Sequence, residues 1–254
     1  MAGRPYVLSE VTWKAVRGTQ YEVAILPWGA TEPHNYHLPY GTDNYESAAI
    51  AERAAELAWN AGARVCVLPG VPFGVNTGQL DLRLTLNMNP STQAAILADL
   101  IASLAAQGVK KLLILNGHGG NDFRQIIREL LPRHDVFVST INWYACLESG
   151  TFFDSPGDHA GELETSVMMA IEPDLVLPLS EAGDGRAKKF RVRGLRDGWA
   201  WAPRSWTKVS ADTGSGNPAK ASKEKGERYL DAVVRRVADY LIELAAADPD
   251  DLYE

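Results

Sequence analysis

Four short apolar runs punctuate the chain: EVAILP (22–27), ARVCVLPG (63–70), KKLLILN (110–116) and HDVFVSTINW (134–143). Each has the length and near-continuous hydrophobicity of a buried strand. Elsewhere the apolar residues fall at helical spacing, over 43–62, 91–108, 121–131 and 161–173. Ser91 is placed to cap the second of these helices, Gly62 and Gly108 to stop the first two, and Pro173 to end the last. Residues 221–247 make a long amphipathic helix that runs through Gly226. Strands alternating with helices predict an α/β protein: a three-layer α/β/α sandwich with a mainly parallel sheet.

Two stretches fit this scheme less simply. LDLRLTLN (80–87) alternates apolar and polar residues and reads as a half-exposed strand. Residues 174–220 are rich in Gly, Arg and Trp, as in GLRDGWAWAPRSW (194–206), and predict loops or a small hairpin. No repeat or low-complexity linker divides the chain, so residues 1–254 are expected to form a single domain.

Composition narrows the partners. The 25 Lys and Arg against 32 Asp and Glu leave a net charge of −7. That argues against a nucleic-acid partner, which would need a basic face. No apolar run approaches the roughly 20 residues of a membrane span, so no membrane partner is expected. The opening MAGRPYVLSEVTWK lacks a signal-peptide pattern, and Cys66 and Cys146 read as reduced core thiols. A cytoplasmic location is expected.

In open parallel sheets, ligands bind beyond the carboxyl ends of the strands. Three such ends lead into unusual residues: GATEPHNYHLPYGTD (29–43), GHGGN (117–121) and, after a loop, GDHAGELETS (157–166). Four of the five histidines lie there: His34, His37, His118 and His159. Pro33 disfavours a helical conformation at Glu32, and in an extended chain Glu32 and His34 point the same way. Asp43 opens the first long helix, as a cap or as a third group aimed at the same spot. Carboxylates gathered at a buried point repel or go unpaired without a cation. GHGGN lacks the spacing of the dinucleotide fingerprint and of the P-loop. Its Gly119 and Gly120 let the backbone approach a metal-bound substrate, with His118 as a ligand. His159 and Glu162, at i and i+3, share a face if the helix begins near His159; Glu164 then points elsewhere, as a candidate supporting or capping group. His37 is a supporting donor or a substrate contact. Trp143 either walls the pocket or packs in the core or at an interface, and Trp199, Trp201 and Trp206 are expected to line a neighbouring subunit's pocket or to pack an interface.

GATEPH, HLPYGTD, LILNGHGGN and HAGELETS, in this order, resemble the motifs of the creatininase (creatinine amidohydrolase) family, over roughly residues 20–240. DTGSGNPAKASKEKG (212–226) is similar to that family's Gly-Pro-Ala-Lys-Gly ending. The resemblance implies an α/β/α fold, two divalent metal ions per chain, a small-molecule substrate and a homo-oligomer, usually a hexamer. Carboxylate and imidazole ligands suit Zn, Mn or Fe. By the same resemblance Glu32 and His118 hold one metal, His34 holds the other, and Asp43 bridges both. Creatininase itself resembles N-G-H-x-E-N in the third motif, with the Glu a metal ligand; here Gly120 stands in that place. Glu162 is the candidate for the missing carboxylate, and creatininase activity itself is not expected. EPHNYH also departs from the EQHGPH of many members, and GATEPHN is most similar to the branch that hydrolyses 3-dehydro-scyllo-inosose.

Two metals about 3.5–4 Å apart share a water and lower its pKa toward neutrality. The resulting hydroxide is expected to attack a carbonyl carbon, with His159 shuttling a proton to the leaving group. The expected substrate is small, polar and cyclic: an oxidised inositol or a cyclic amide. A linear C–N bond, or isomerisation of a keto sugar without added water, are the alternatives.

Overall fold

The structure is a computed structural model that describes residues 3–254. Its sheet has four parallel strands, β1 (Val23–Trp28), β2 (Val65–Val67), β3 (Lys111–Asn116) and β4 (Phe137–Asn142), in the order β2-β1-β3-β4. Eight α-helices accompany them. They are α1 (Trp13–Val16), α2 (Thr42–Asn60), α3 (Pro90–Ala106), α4 (Phe123–Leu130), α5 (Glu162–Ile171), α6 (Arg193–Arg196), α7 (Trp206–Val209) and α8 (Lys223–Ala246).

The strands are apolar on both faces because both faces are covered. Val23, Ile25, Leu113 and Leu115 pack with α2, α5 and α8 on one side. Ala24, Leu26, Leu112 and Ile114 pack with α3 and α4 on the other. The result is the expected α/β/α layering, since a parallel strand that buries alternate residues in opposite cores must be hydrophobic throughout. Local signals set the helix ends. Pro90 opens α3, the Asp122 carboxylate accepts from Arg124 N at 3.2 Å to cap α4, and Ser222 Oγ accepts from Lys225 N at 3.3 Å to cap α8. Asn89, rather than Ser91, occupies the cap position of α3. Gly226 inside α8 has a packing reason: a Cβ there would run into the Ser166 carbonyl of α5.

One sequence expectation is corrected and another is narrowed to one of its two alternatives. Residues 80–87 form no strand; apart from two isolated bridges, Thr31 with Leu86 antiparallel and Gly74 with Asn87 parallel, they make turns, and Leu84 sits at φ 59° with its side chain exposed. An alternating pattern needs a neighbouring strand to pair with, and the sheet ends at β2 on one side and β4 on the other. Residues 174–220 form short helical turns and extended segments with no hairpin among them. No helix among the described residues is long and apolar enough to cross a membrane.

The topology places the three polar motifs together. β1 and β3 are adjacent central strands, with Trp28 in register with Asn116, and Asn116 in register with Asn142 of β4. The 29–43 and 117–121 segments therefore leave the sheet side by side.

Candidate metal centre

Asn116 braces the turn after β3. Its Nδ2 donates to the His118 carbonyl and to Asn142 Oδ1, each at 2.9 Å. Its Oδ1 accepts from His118 N at 3.1 Å and from Asn121 Nδ2 at 3.0 Å. Gly117 lies against the Asp43 carbonyl with no room for a side chain, so the β3 turn abuts the start of α2. Asp43 is the second residue of α2, and its carboxylate is not spent on a cap. It faces two imidazoles instead.

The ring nitrogens decide what that carboxylate meets. His118 Nε2 lies 3.1 Å from the Val75 carbonyl, and a carbonyl only accepts, so Nε2 carries the hydrogen. The neutral ring then presents the Nδ1 lone pair to Glu32 Oε1 at 2.8 Å and to Asp43 Oδ2 at 3.0 Å. His34 repeats the arrangement. Its Nδ1 donates to the Glu32 carbonyl at 3.0 Å, so Nε2 faces Asp43 Oδ1 at 3.0 Å as a lone pair. Lone pairs of nitrogen and carboxylate set face to face in a dry interior call for a cation between them. A ring N–H tied to a backbone carbonyl, with the other nitrogen aimed inward, is the arrangement that orients metal-binding histidines.

Three groups of ligand atoms fall within 4.8 Å of one another: Glu32, Asp43 and His118; His34, Asp43 and Glu164; and Glu32, His34 and His159. Asp43 belongs to two of them. The donor set of carboxylate oxygen and imidazole nitrogen fits a divalent transition ion.

Protons take the cation's part where no metal is bound. Burial alone would lower the His34 imidazole, but Asp43 beside it raises it to about 9. Burial likewise opposes, and Glu32 and Asp43 overcome it, in holding His118 well above its ordinary value. Against burial, His118 and His159 hold Glu32 low, and His34 and His118 hold Asp43 low. Glu164 moves the other way: burial raises it, and the nearby histidines offset only part of the rise.

Glu46, one turn after Asp43 on α2, is fully buried with no partner for either carboxylate oxygen. Burial, then Glu164 and Asp43, push its carboxyl well above the usual range. The native state thus keeps a proton that the unfolded chain releases above about 4.3, and stability falls as pH rises from there toward the native value. In the metal-free protein, Glu46→Gln is expected to flatten this decline and to raise the melting temperature at pH 8 more than at pH 4, read by calorimetry.

The remaining sequence candidates divide. His159 lines the cavity beside the cluster; its Nε2 donates to the Pro33 carbonyl at 3.0 Å, which leaves Nδ1 as the free nitrogen. Its ring stacks on His34 at 4.2 Å and meets Trp206 edge-on at 4.8 Å. Gly119 and Gly120 line the same cavity. Glu162 is not brought to the cluster: it is fully buried in an ion pair with Lys225, and its other oxygen accepts from Ser155 N at 2.7 Å. The helix starts at Glu162, and Ala160, at φ 49°, turns the chain between it and His159, so helical spacing does not relate the two. Glu164, expected to point away, folds back to accept from Ala160 N and joins the cluster.

His37 bonds Thr165 Oγ1 at 2.9 Å and is not among the residues that line the cavity at the cluster; burial, then the charge on His34, lowers it to about 4, so it is a neutral packed group. Trp143 is core, fully buried beside Tyr229. Its neighbour Tyr144 takes the wall instead, with a hydroxyl raised to about 12 by burial and by the nearby carboxylates. Trp201 and Trp206 also line the cavity, which measures about 680 Å³, while Trp199 lies exposed outside it. Sequence reasoning missed Tyr144, whose only signal was its nearness to a strand end, and Gln79, which had none, and it gave Glu164 only a supporting or capping role.

A family profile described as creatininase, creatinine amidohydrolase, matches residues 9–241. The chain belongs to the creatininase family. It is 28% identical to the creatinine amidohydrolase of Pseudomonas putida, over 93% of this chain and 96% of that protein. It is 29% identical to a mycofactocin precursor peptide peptidase of Mycobacterium ulcerans, over 84% of each. The crystal structure of a creatinine amidohydrolase homologue from Bacteroides fragilis superposes with a TM-score of 0.92 at 46% identity, covering 98% of this chain and 99% of that one. Solved creatininases include a Mn form and a Zn–Zn form of a variant, each 25% identical, at TM-scores of 0.79 and 0.78 over 95% of this chain and 99% of theirs.

For a creatininase-family site, the glycine at position 120 is a requirement of packing. A Cβ there would run into the Val75 carbonyl oxygen and the His118 ring, so no carboxylate fits at this position. At Gly119 the nearest atom to such a Cβ is the Tyr144 hydroxyl at 3.8 Å, so that side of the turn is open.

Proposed function

We propose that this creatininase-family hydrolase works with two divalent ions per chain, Zn, Mn or Fe. Glu32, Asp43 and His118 hold one, His34, Asp43 and Glu164 hold the other, and Asp43 is shared. One observation carries the reading. Two imidazole lone pairs are aimed at buried carboxylates, at 2.8–3.0 Å, by hydrogen bonds from the far side of each ring. The ions supply Lewis acidity, polarising a carbonyl and lowering the pKa of a water toward neutrality.

The chain's own residues do the rest. His159, its Nε2–H fixed on Pro33 and its ring wedged between His34 and Trp206, has one nitrogen left to carry a proton to the leaving group. Tyr144 stays protonated at neutral pH and offers its hydroxyl as a donor at the cavity wall. A cavity of about 680 Å³ lies within the range of sites that enclose small organic ligands.

The proposed substrate is small, polar and cyclic, an oxidised inositol or a cyclic amide. The P. putida relative acts on creatinine by its name, and a Thermotoga maritima relative, 26% identical over 65% of this chain and 56% of its own length, is a 3-dehydro-scyllo-inosose hydrolase. A homo-oligomer, hexameric by family resemblance, is part of the proposal; the exposed Trp13, Trp199, Trp201 and Leu84 offer apolar surface for it.

Elemental analysis of the purified protein tests the metal centre, with about two ions per chain expected. One ion, or none after reconstitution with Zn, Mn or Fe, overturns it. Turnover of 3-dehydro-scyllo-inosose and of creatinine in ¹⁸O-water then separates the substrates, and a hydrolase must carry the label into product.

A further inference from the structure

The turn Thr77–Gln79 supplies part of the cavity wall, and Gly78 in it lies directly against the Arg204 carbonyl. Gln79, almost fully buried, donates from Nε2 to Glu32 Oε2. An ionised carboxylate only accepts, so the amide's orientation is fixed by chemistry. The two oxygens of Glu32 thereby have different neighbours: Oε2 takes the Gln79 amide, and Oε1 faces His118 Nδ1 at 2.8 Å. Gln79 Oε1 has no hydrogen-bond partner in the protein. A buried acceptor left unmatched weighs against the fold, so the bond to Glu32 is what the Gln79 side chain contributes.

We propose that Gln79 is a positioning residue for the metal centre. Its N–H pins Oε2 of Glu32 and leaves Oε1 as the oxygen free to coordinate the ion held with Asp43 and His118. This rests on the metal reading above. Glu32 lines the cavity with almost no exposed surface, and Gln79 is the one protein donor to its Oε2, so without Gln79 its carboxylate turns about its last bond and the ligand geometry is lost. The effect is confined to one ion, because Gln79 makes no hydrogen bond to His34 or Glu164.

The test is titration of chelated wild type and of Gln79→Met, similar in length but without a donor, with Co²⁺, followed by calorimetry and by the visible d–d bands. Wild type is expected to bind two ions. In Gln79→Met one site weakens by about 10–100-fold, with altered bands, and the other stays within about twofold. The metal-free melting temperature is expected to fall modestly, because Glu32 Oε2 loses its donor, so the split between the two sites carries the test. Gln79→Asn, which withdraws the amide by one methylene, gives the same pattern and serves if the Met variant folds poorly. Two unchanged affinities overturn the proposal, as does equal weakening of both sites, which marks a structural role. Wild type that binds no Co²⁺ overturns the metal centre itself, and the positioning role with it.

Discussion

Asp43→Ala is expected to abolish turnover and to release both ions while the fold survives. Asp43 belongs to both three-ligand groups that share it, so its loss leaves each with two ligands. In the metal-free protein the carboxylate pairs with imidazoles that hold a proton, so its loss also lowers the metal-free melting temperature. A ligand present at 100 times its dissociation constant stabilises by about 2.7 kcal/mol. In a protein of this size that is a rise in melting temperature of roughly 5–11 °C per site. Wild type should show the rise on metal addition, and Asp43→Ala should not. The metal-free pair has its own pH signature. Folded His34 titrates at about 9, against about 6.5 unfolded, so its stabilisation is fully present below 6.5 and is lost as pH rises through 9. The variant should lack that alkaline decline. Retained turnover in Asp43→Ala would falsify the shared-ligand arrangement.

The second large effect separates two glutamates two residues apart. Glu164→Gln is expected to cost one ion of the pair, with an ion count near one per chain and turnover reduced by at least about 100-fold, the scale for removal of one charge-stabilising group. Glu162→Gln is expected to keep both ions, because its carboxylate is engaged by Lys225 and Ser155 N. Its damage should appear as a lower melting temperature, since Lys225 also bonds Asp154 and the Lys220 carbonyl and ties down the segment leading to His159. Elemental analysis and thermal melts of the two variants decide the matter. An ion lost from Glu162→Gln but not from Glu164→Gln would reverse the assignment.

That pair also marks where sequence reading stopped. Choosing Glu162 required knowing where the helix begins, and one residue in the left-handed region, Ala160, moved the start past His159 and rotated the face. Trp143 and Tyr144 are a similar case. Both follow a strand end, but only the path of the chain after Asn142 sends the first into the core and the second to the cavity. Gln79 carries no sequence signal at all, because its partner Glu32 is 47 positions away.

The chain by itself determined the layers of the fold and the grouping of its chemistry. Continuous apolar runs separated by helical periods admit few arrangements other than a covered parallel sheet. A parallel sheet sends every strand's carboxyl end to one edge, so the histidine-bearing motifs had to meet there. Tertiary structure decided which atoms face which. The direction of each imidazole is set by backbone carbonyls of Val75, Glu32 and Pro33. The choice between neighbouring carboxylates is set by a single turn of backbone. Such contacts depend on angles and on distances of a few ångströms between residues far apart in the chain, which no local pattern of residue types encodes.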